Sequence, residues 1–206
     1  MEEKPDFEKD LASIRSMMDR SAKFISLSGL SGMLAGAYAL AAAYYVYAVI
    51  FNGNIQPYDA SLEIAPFTEF KLIFVGVLTL IASILTGFLL SARKAKRLGL
   101  SIWNSVSERL IINLSIPLAT GGVFALLTIY QGYYGFIAPI CLLFYGLALI
   151  NASQNLFNEV RYLGYCEIVL GLLSTYFIGY GLVFWAIGFG ALHIVYGVVM
   201  YRKYDA

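Results

Sequence analysis

The sequence predicts an all-α integral membrane protein, a six-transmembrane-helix bundle preceded by an N-terminal amphipathic interfacial helix. Three observations carry that expectation. Of 206 residues, 60% are hydrophobic and only 13% are charged, against about 25% charged in an ordinary soluble domain. The apolar residues also fall in runs of roughly 20, the length a helix needs to cross a bilayer. Finally, lysine and arginine gather on one side of those runs.

The first 23 residues mix both signs of charge. Phe7, Leu11, Ile14 and Met18 recur at helical spacing with charges between them. This pattern reads as an amphipathic helix over residues 6–22 on the inner membrane surface, or as a solvated helical lead-in. The apolar run that follows exceeds the roughly 7–15 residues of a signal-peptide core. It covers residues 24–51 and gives way to a polar stretch with Asn52-Gly53 and two prolines, Pro57 and Pro66. A second span, 70–92, stops at Arg93, Lys94, Lys96 and Arg97.

The next two apolar stretches are each too long for one crossing. The first divides at Gly132-Tyr-Tyr-Gly135 into spans 105–131 and 135–151. The second divides at Gly179-Tyr-Gly181 into spans 163–179 and 182–201, with 202–206 as a tail. Glycine lets the backbone reverse at such points. Thr128–Gly135 can be laid on Ser174–Gly181 with tyrosines and the last glycine in register, as a repeated hairpin or as two turns with similar needs.

With the N-terminus inside, Lys71 alone of the 14 lysines and arginines lies outside, the bias that sets orientation. Tyr44, Tyr45, Tyr47, Tyr130, Tyr133, Tyr134, Tyr176 and Tyr180 then form an outer aromatic belt. Both chain ends are therefore expected in the cytoplasm, at the cell membrane. A net charge of +1 excludes the basic footprint that nucleic acid requires. Cys141 and Cys166 sit at different depths, which argues against a disulfide, and no CxxC or Cys/His pair suggests zinc.

Helices in lipid associate through small residues and interhelical hydrogen bonds. Ser28, Gly32 and Gly36, four apart, give the first span such a face, and Gly188, Gly190 and Gly197 give another to the sixth. The faces suit bundle packing, with a homo-oligomer contact as the alternative. Pro117 should kink the third span and release the carbonyl of Asn113 from its helical partner.

Ionisable groups in a span are costly and point to function. Counted from the inner ends at about 1.5 Å per residue, Glu167 lies roughly 6–8 Å deep and His193 roughly 12 Å deep. Tyr196 shares the face of His193, and Asn113 lies at a similar depth. Glu108, Arg109 and Asn151 mark inner helix ends. These seven residues predict a polar pocket opening toward the cytoplasm. Their plainer readings are interfacial charges for Glu108 and Arg109, interhelical bonds for Asn113, an arginine partner for Glu167 and a buried neutral imidazole for His193.

There is no HExxH, GxSxG, P-loop or GxGxxG in the context its chemistry needs, and no cofactor or metal is predicted. Three functions remain. The first is a small binding or transport protein for a small molecule, lipid or proton. The second is a regulatory or scaffold subunit acting through its cytoplasmic surface. The third is an intramembrane enzyme using Glu167 and His193.

Overall fold

The computed structural model describes residues 28–53, 66–99, 101, 103 and 105–205. The amphipathic segment read over residues 6–22 lies outside the described residues, as do the start of the first span and most of the link from Asn52 to Pro66. Every regular element among the described residues is helical.

Six helices follow in order. They are α1 (Gly29–Ile50), α2 (Pro66–Arg97), α3 (Ser105–Tyr130), α4 (Ile137–Ala152), α5 (Asn158–Tyr176) and α6 (Gly181–Tyr204). Five of them are long and apolar enough to cross a membrane: α1, α2, α3, α6, and α4 with its leading turn. The exception is α5, whose 19 residues include Glu159, Arg161 and Glu167. Large apolar side chains stand exposed along α2, among them Phe70, Phe74, Leu78, Ile81, Leu85 and Phe88. Aqueous monomers rarely expose a continuous apolar face of this kind, and hydrocarbon suits it.

The chain reverses between α3 and α4 at Gly132 (φ 81°) and between α5 and α6 at Gly179 (φ 108°). Both occupy the left-handed region that glycine enters without steric cost. The overlay of the two turn sequences puts Gly132 on Ile178, so the reversing glycines are not equivalent and the two turns are built differently.

Two ends of the bundle can be named from these elements. One, the turn end, holds Gly132, Gly179 and the start of α2. The other, the clasp end, holds the start of α1 and the close of α2 and α6. Among the described residues, Lys71 lies at the turn end, while Arg93, Lys94, Lys96, Arg97, Arg109, Arg161, Arg202 and Lys203 lie at the clasp end.

Glycine sets the packing. A Cβ added at Gly29 would lie 2.6 Å from the Gly197 carbonyl oxygen, and one at Gly36 would lie 2.6 Å from that of Gly190. The Ser28–Gly32–Gly36 face of α1 is thus spent against α6 within the chain. A second close pair joins α4 to α5, where a Cβ at Gly146 would lie 2.7 Å from the Gly164 carbonyl oxygen. α2 packs on α1, α3 packs on α4, and α6 also touches α4 and α5, so it joins the two glycine pairs.

At the clasp end Asp205 accepts hydrogen bonds from the Gly29 N–H (2.7 Å) and the Ser28 hydroxyl (3.3 Å), and pairs with the Lys94 ammonium. The first N–H groups of a helix have no intrahelical partner and attract negative charge. Here the carboxylate comes from the far end of α6 rather than from the residue before the helix.

Candidate functional site

The site lies where α4, α5 and α6 meet. Residues Ala186–Leu192 of α6 are wound as a π-helix, a form that often marks functional positions. His193 follows directly. Its Nδ1 lies 2.9 Å from the Gly188 carbonyl oxygen, five residues back, and its Nε2 lies 2.8 Å from the Tyr145 hydroxyl of α4. A carbonyl only accepts, so Nδ1 carries the hydrogen, and in the neutral ring Nε2 accepts from Tyr145. Tyr145 and Phe189 stack beside the imidazole, with centroids 5.4 and 5.9 Å from it.

Glu167 of α5 reaches the same place. Its Oε1 lies 3.6 Å from His193 Nδ1, too far for a hydrogen bond. The side chain is 0% exposed, and neither carboxyl oxygen has a hydrogen-bond partner. Gly188 makes room for it: a Cβ there would lie 2.5 Å from Glu167 Oε2 and 2.5 Å from Leu142 Cδ2. A buried carboxyl with no donor is tolerated as the neutral acid, or as an anion only beside a compensating cation. The imidazole is the one cationic candidate within ion-pairing distance among the described residues.

The other residues singled out in the sequence fall elsewhere. Asn151 donates from its side-chain amide to the Asn113 backbone carbonyl at 2.7 Å. That is the carbonyl whose helical donor Pro117 removes, so this pair mends the α3 break at the α3–α4 contact. Tyr196 lays its ring against Gly32 of α1, where an added Cβ would lie 3.1 Å from Tyr196 Cδ1, and against a cluster of apolar side chains. Glu108 and Arg109 are exposed at the start of α3. The seven residues are therefore not gathered into one pocket: His193 and Glu167 meet, Tyr196 packs on the cluster that Tyr145 also touches, and the other four do not join them. Arg161 bonds to Ser153 at 3.1 Å rather than to Glu167.

The helix that carries Glu167 starts earlier than the apolar span read over 163–179. α5 begins at Asn158, because polar residues extend the helix past its apolar core. Glu167 then lies nine residues in, about 13.5 Å along the axis. Its carboxyl meets Gly188, which is seven residues from the turn end of α6. Toward the clasp end, the apolar cluster Leu149, Ala152, Leu156, Val160 and Leu163 is packed with Leu192 and Tyr196.

Tyr145 is the site residue that the sequence reading missed. It lies about ten residues, roughly 15 Å, past the Gly135 turn, too deep for the aromatic belt, and that depth was the available signal. Among the described residues, no three His, Cys, Asp or Glu side chains come together as a metal set. No family model, curated protein or solved structure matches the chain.

Proposed function

We propose that this chain is a six-span protein of the cell membrane that binds and passes protons at the Glu167–His193 pair. It is a small transport protein rather than an enzyme. In this reading α5 crosses from residue 163 onward, with its first turn at the interface, and the clasp end faces the cytoplasm. The lysine and arginine bias toward that end supports the orientation. The protein's medium is the lipid bilayer.

One observation carries the proposal: Glu167 is completely buried, has no hydrogen-bond partner, and sits 3.6 Å from a histidine ring nitrogen. An ionisable group inside a membrane span is a functional hypothesis by default, as a proton relay or part of an ion path. The pair has two electrically balanced states. In one, the carboxyl is protonated and the imidazole neutral. In the other, the carboxyl is ionised and a proton has entered at Nε2 from the Tyr145 side, so the ring carries both hydrogens and Tyr145 turns from donor to acceptor. A proton also needs no cavity, whereas the packing at Gly188 leaves no space for even one added carbon beside Glu167.

The test uses liposomes that hold the purified protein and a trapped pH-sensitive dye. A potassium gradient with valinomycin supplies the driving voltage. Wild type should acidify or alkalise the lumen faster than protein-free liposomes, Glu167→Gln should return the rate to that background, and Tyr145→Phe should slow it. Wild-type liposomes no faster than empty ones, or Glu167→Gln liposomes as fast as wild type, would refute the proposal.

A further inference from the structure

Glu167 is one of two orphaned polar side chains on a single face of α5. The other is Ser174, seven residues or two turns closer to the turn end. It is 1% exposed, and its hydroxyl has no partner. Helical serines and threonines normally satisfy themselves by bonding back to the carbonyl four residues earlier. Thr79, Ser83, Thr120, Thr128 and Thr175 all do so, at 2.7–2.9 Å. Ser174 does not, so its hydroxyl is aimed away from its own backbone. A hydroxyl left this way in an apolar interior costs about 1–3 kcal/mol.

The two directions away from Glu167 differ in character. Toward the clasp end lies the cluster of Leu149, Leu156, Val160 and Leu163, with Leu192 and Tyr196 packed on it. The hydroxyls on that cluster are those of Tyr196 and of Tyr145, and the Tyr145 hydroxyl is engaged with His193. Toward the turn end, where Pro139 and Leu142 of α4 are also fully buried, the next buried polar group on the α5 face is Ser174, two residues before the helix closes at Tyr176. The α6 segment opposite is the short helical turn Gly181–Trp185 running into the π-helix, with glycines at 181, 188 and 190.

We infer that the α5 face from Ser174 to Glu167 is a water-bearing access route, by which protons reach the Glu167–His193 pair from the turn end and not from the clasp end. It rests on the proton-site reading of Glu167. Both groups are sealed from solvent in this conformation, so the route is closed here and fills when the Gly181–Leu192 stretch of α6 moves off α5. Buried waters settle where several polar groups lack partners, and two such groups border this face. The transfer is balanced: an O–H bond of a protonated water breaks, an O–H bond at a Glu167 carboxyl oxygen forms, and no electrons change hands.

Ser174→Cys in a Cys141→Ala, Cys166→Ala background tests the route. A small charged methanethiosulfonate reagent is added to one side of sealed vesicles at a time. Labelling at position 174 from the side bearing the Gly132 and Gly179 turns is expected. No labelling of the folded protein from either side, or labelling from the clasp side alone, overturns the inference.

Ser174→Ala provides a second measurement that does not depend on the cysteine variant folding. After dilution into D2O, the carboxylic-acid infrared band lost in Glu167→Gln should exchange about three- to tenfold more slowly than in wild type, as expected for one lost hydrogen bond along the path. An unchanged rate overturns the route. Failure of the proton-site reading would look different: Glu167→Gln liposomes would move protons as wild type does, whatever the labelling at position 174.

Discussion

Replacing Gly146 by alanine adds one carbon at a close approach of α4 and α5. That carbon would lie 2.7 Å from the Gly164 carbonyl oxygen, 2.7 Å from Ile168 Cγ1 and 2.9 Å from the Ile168 nitrogen. Ordinary contact begins near 3.4 Å, so the helices are too close by about 0.7 Å, and two of the three obstacles are backbone. No rotamer change relieves a backbone clash, which puts the cost near the upper part of the usual range, about 3 kcal/mol. Alanine regains about 1 kcal/mol as the better helix former, leaving a net loss of roughly 2 kcal/mol. Gly122 in α3 is the control, because a Cβ there meets nothing within 4 Å. Gly122→Ala should therefore be neutral or stabilised by up to about 1 kcal/mol. Unfolding of both variants in mixed detergent micelles, followed by circular dichroism against SDS fraction, measures the difference. The reasoning fails if Gly146→Ala is as stable as Gly122→Ala.

Two further outcomes can be checked with the same assay. Asn151→Ala should cost about 1–2 kcal/mol in the wild-type background, and distinctly less when Pro117→Ala restores a backbone donor for the Asn113 carbonyl; equal costs in the two backgrounds would show that the Asn151 bond does not mend the proline break. Near the clasp end, burial pushes the Glu159 carboxyl up, but its bond to Lys203 at 2.5 Å, its own backbone N–H, the Lys203 charge and the Tyr204 hydroxyl together hold it below the usual carboxylate range. A lowered folded value gives stability that is present above the ordinary glutamate value of about 4.3 and lost as pH falls through the folded value. Wild type should therefore exceed Glu159→Gln in stability at pH 7 and lose that margin on acidification below about pH 4; a margin independent of pH would count against the pair.

Much of the architecture was legible in the sequence for physical reasons. Apolar runs bounded by basic clusters, and glycines at the reversals, follow from what a bilayer and a tight turn demand. The α1 face of Ser28, Gly32 and Gly36 was legible because small residues four apart have few other uses in an apolar helix. The carbonyl of Asn113 was legible because proline always removes the same donor. Other features required knowledge of neighbours. Gly146 is the one glycine of α4 and Gly164 is one of two in α5, and only the contact between the helices gives them a role. Tyr145 and His193 are 48 residues apart and meet because α4 and α6 are adjacent at one rotation. The π-helix carries no local signature, since the same residues would also fit an α-helix, and within it Gly188 lies opposite Glu167. Asp205 read as part of a short tail, yet it caps the first described helix.

The Asp205 contact also bears on the order in which the protein assembles. It closes a loop of 176 residues between Asp205 and the Gly29 amide, and the glycine face of α1 finds its match on α6 over a similar separation. A ribosome delivers α1 to the membrane long before α6 exists. During synthesis α1 must wait with its close-packing face unmatched and its first amides uncapped. Contacts of such long range form late, and an exposed small-residue face can meet the same face on another half-made chain. The last of the six helices therefore completes the bundle where Gly29 meets Gly197 and Gly36 meets Gly190. Truncation within it should leave inserted but unassembled spans, the kind of intermediate that quality-control proteases remove.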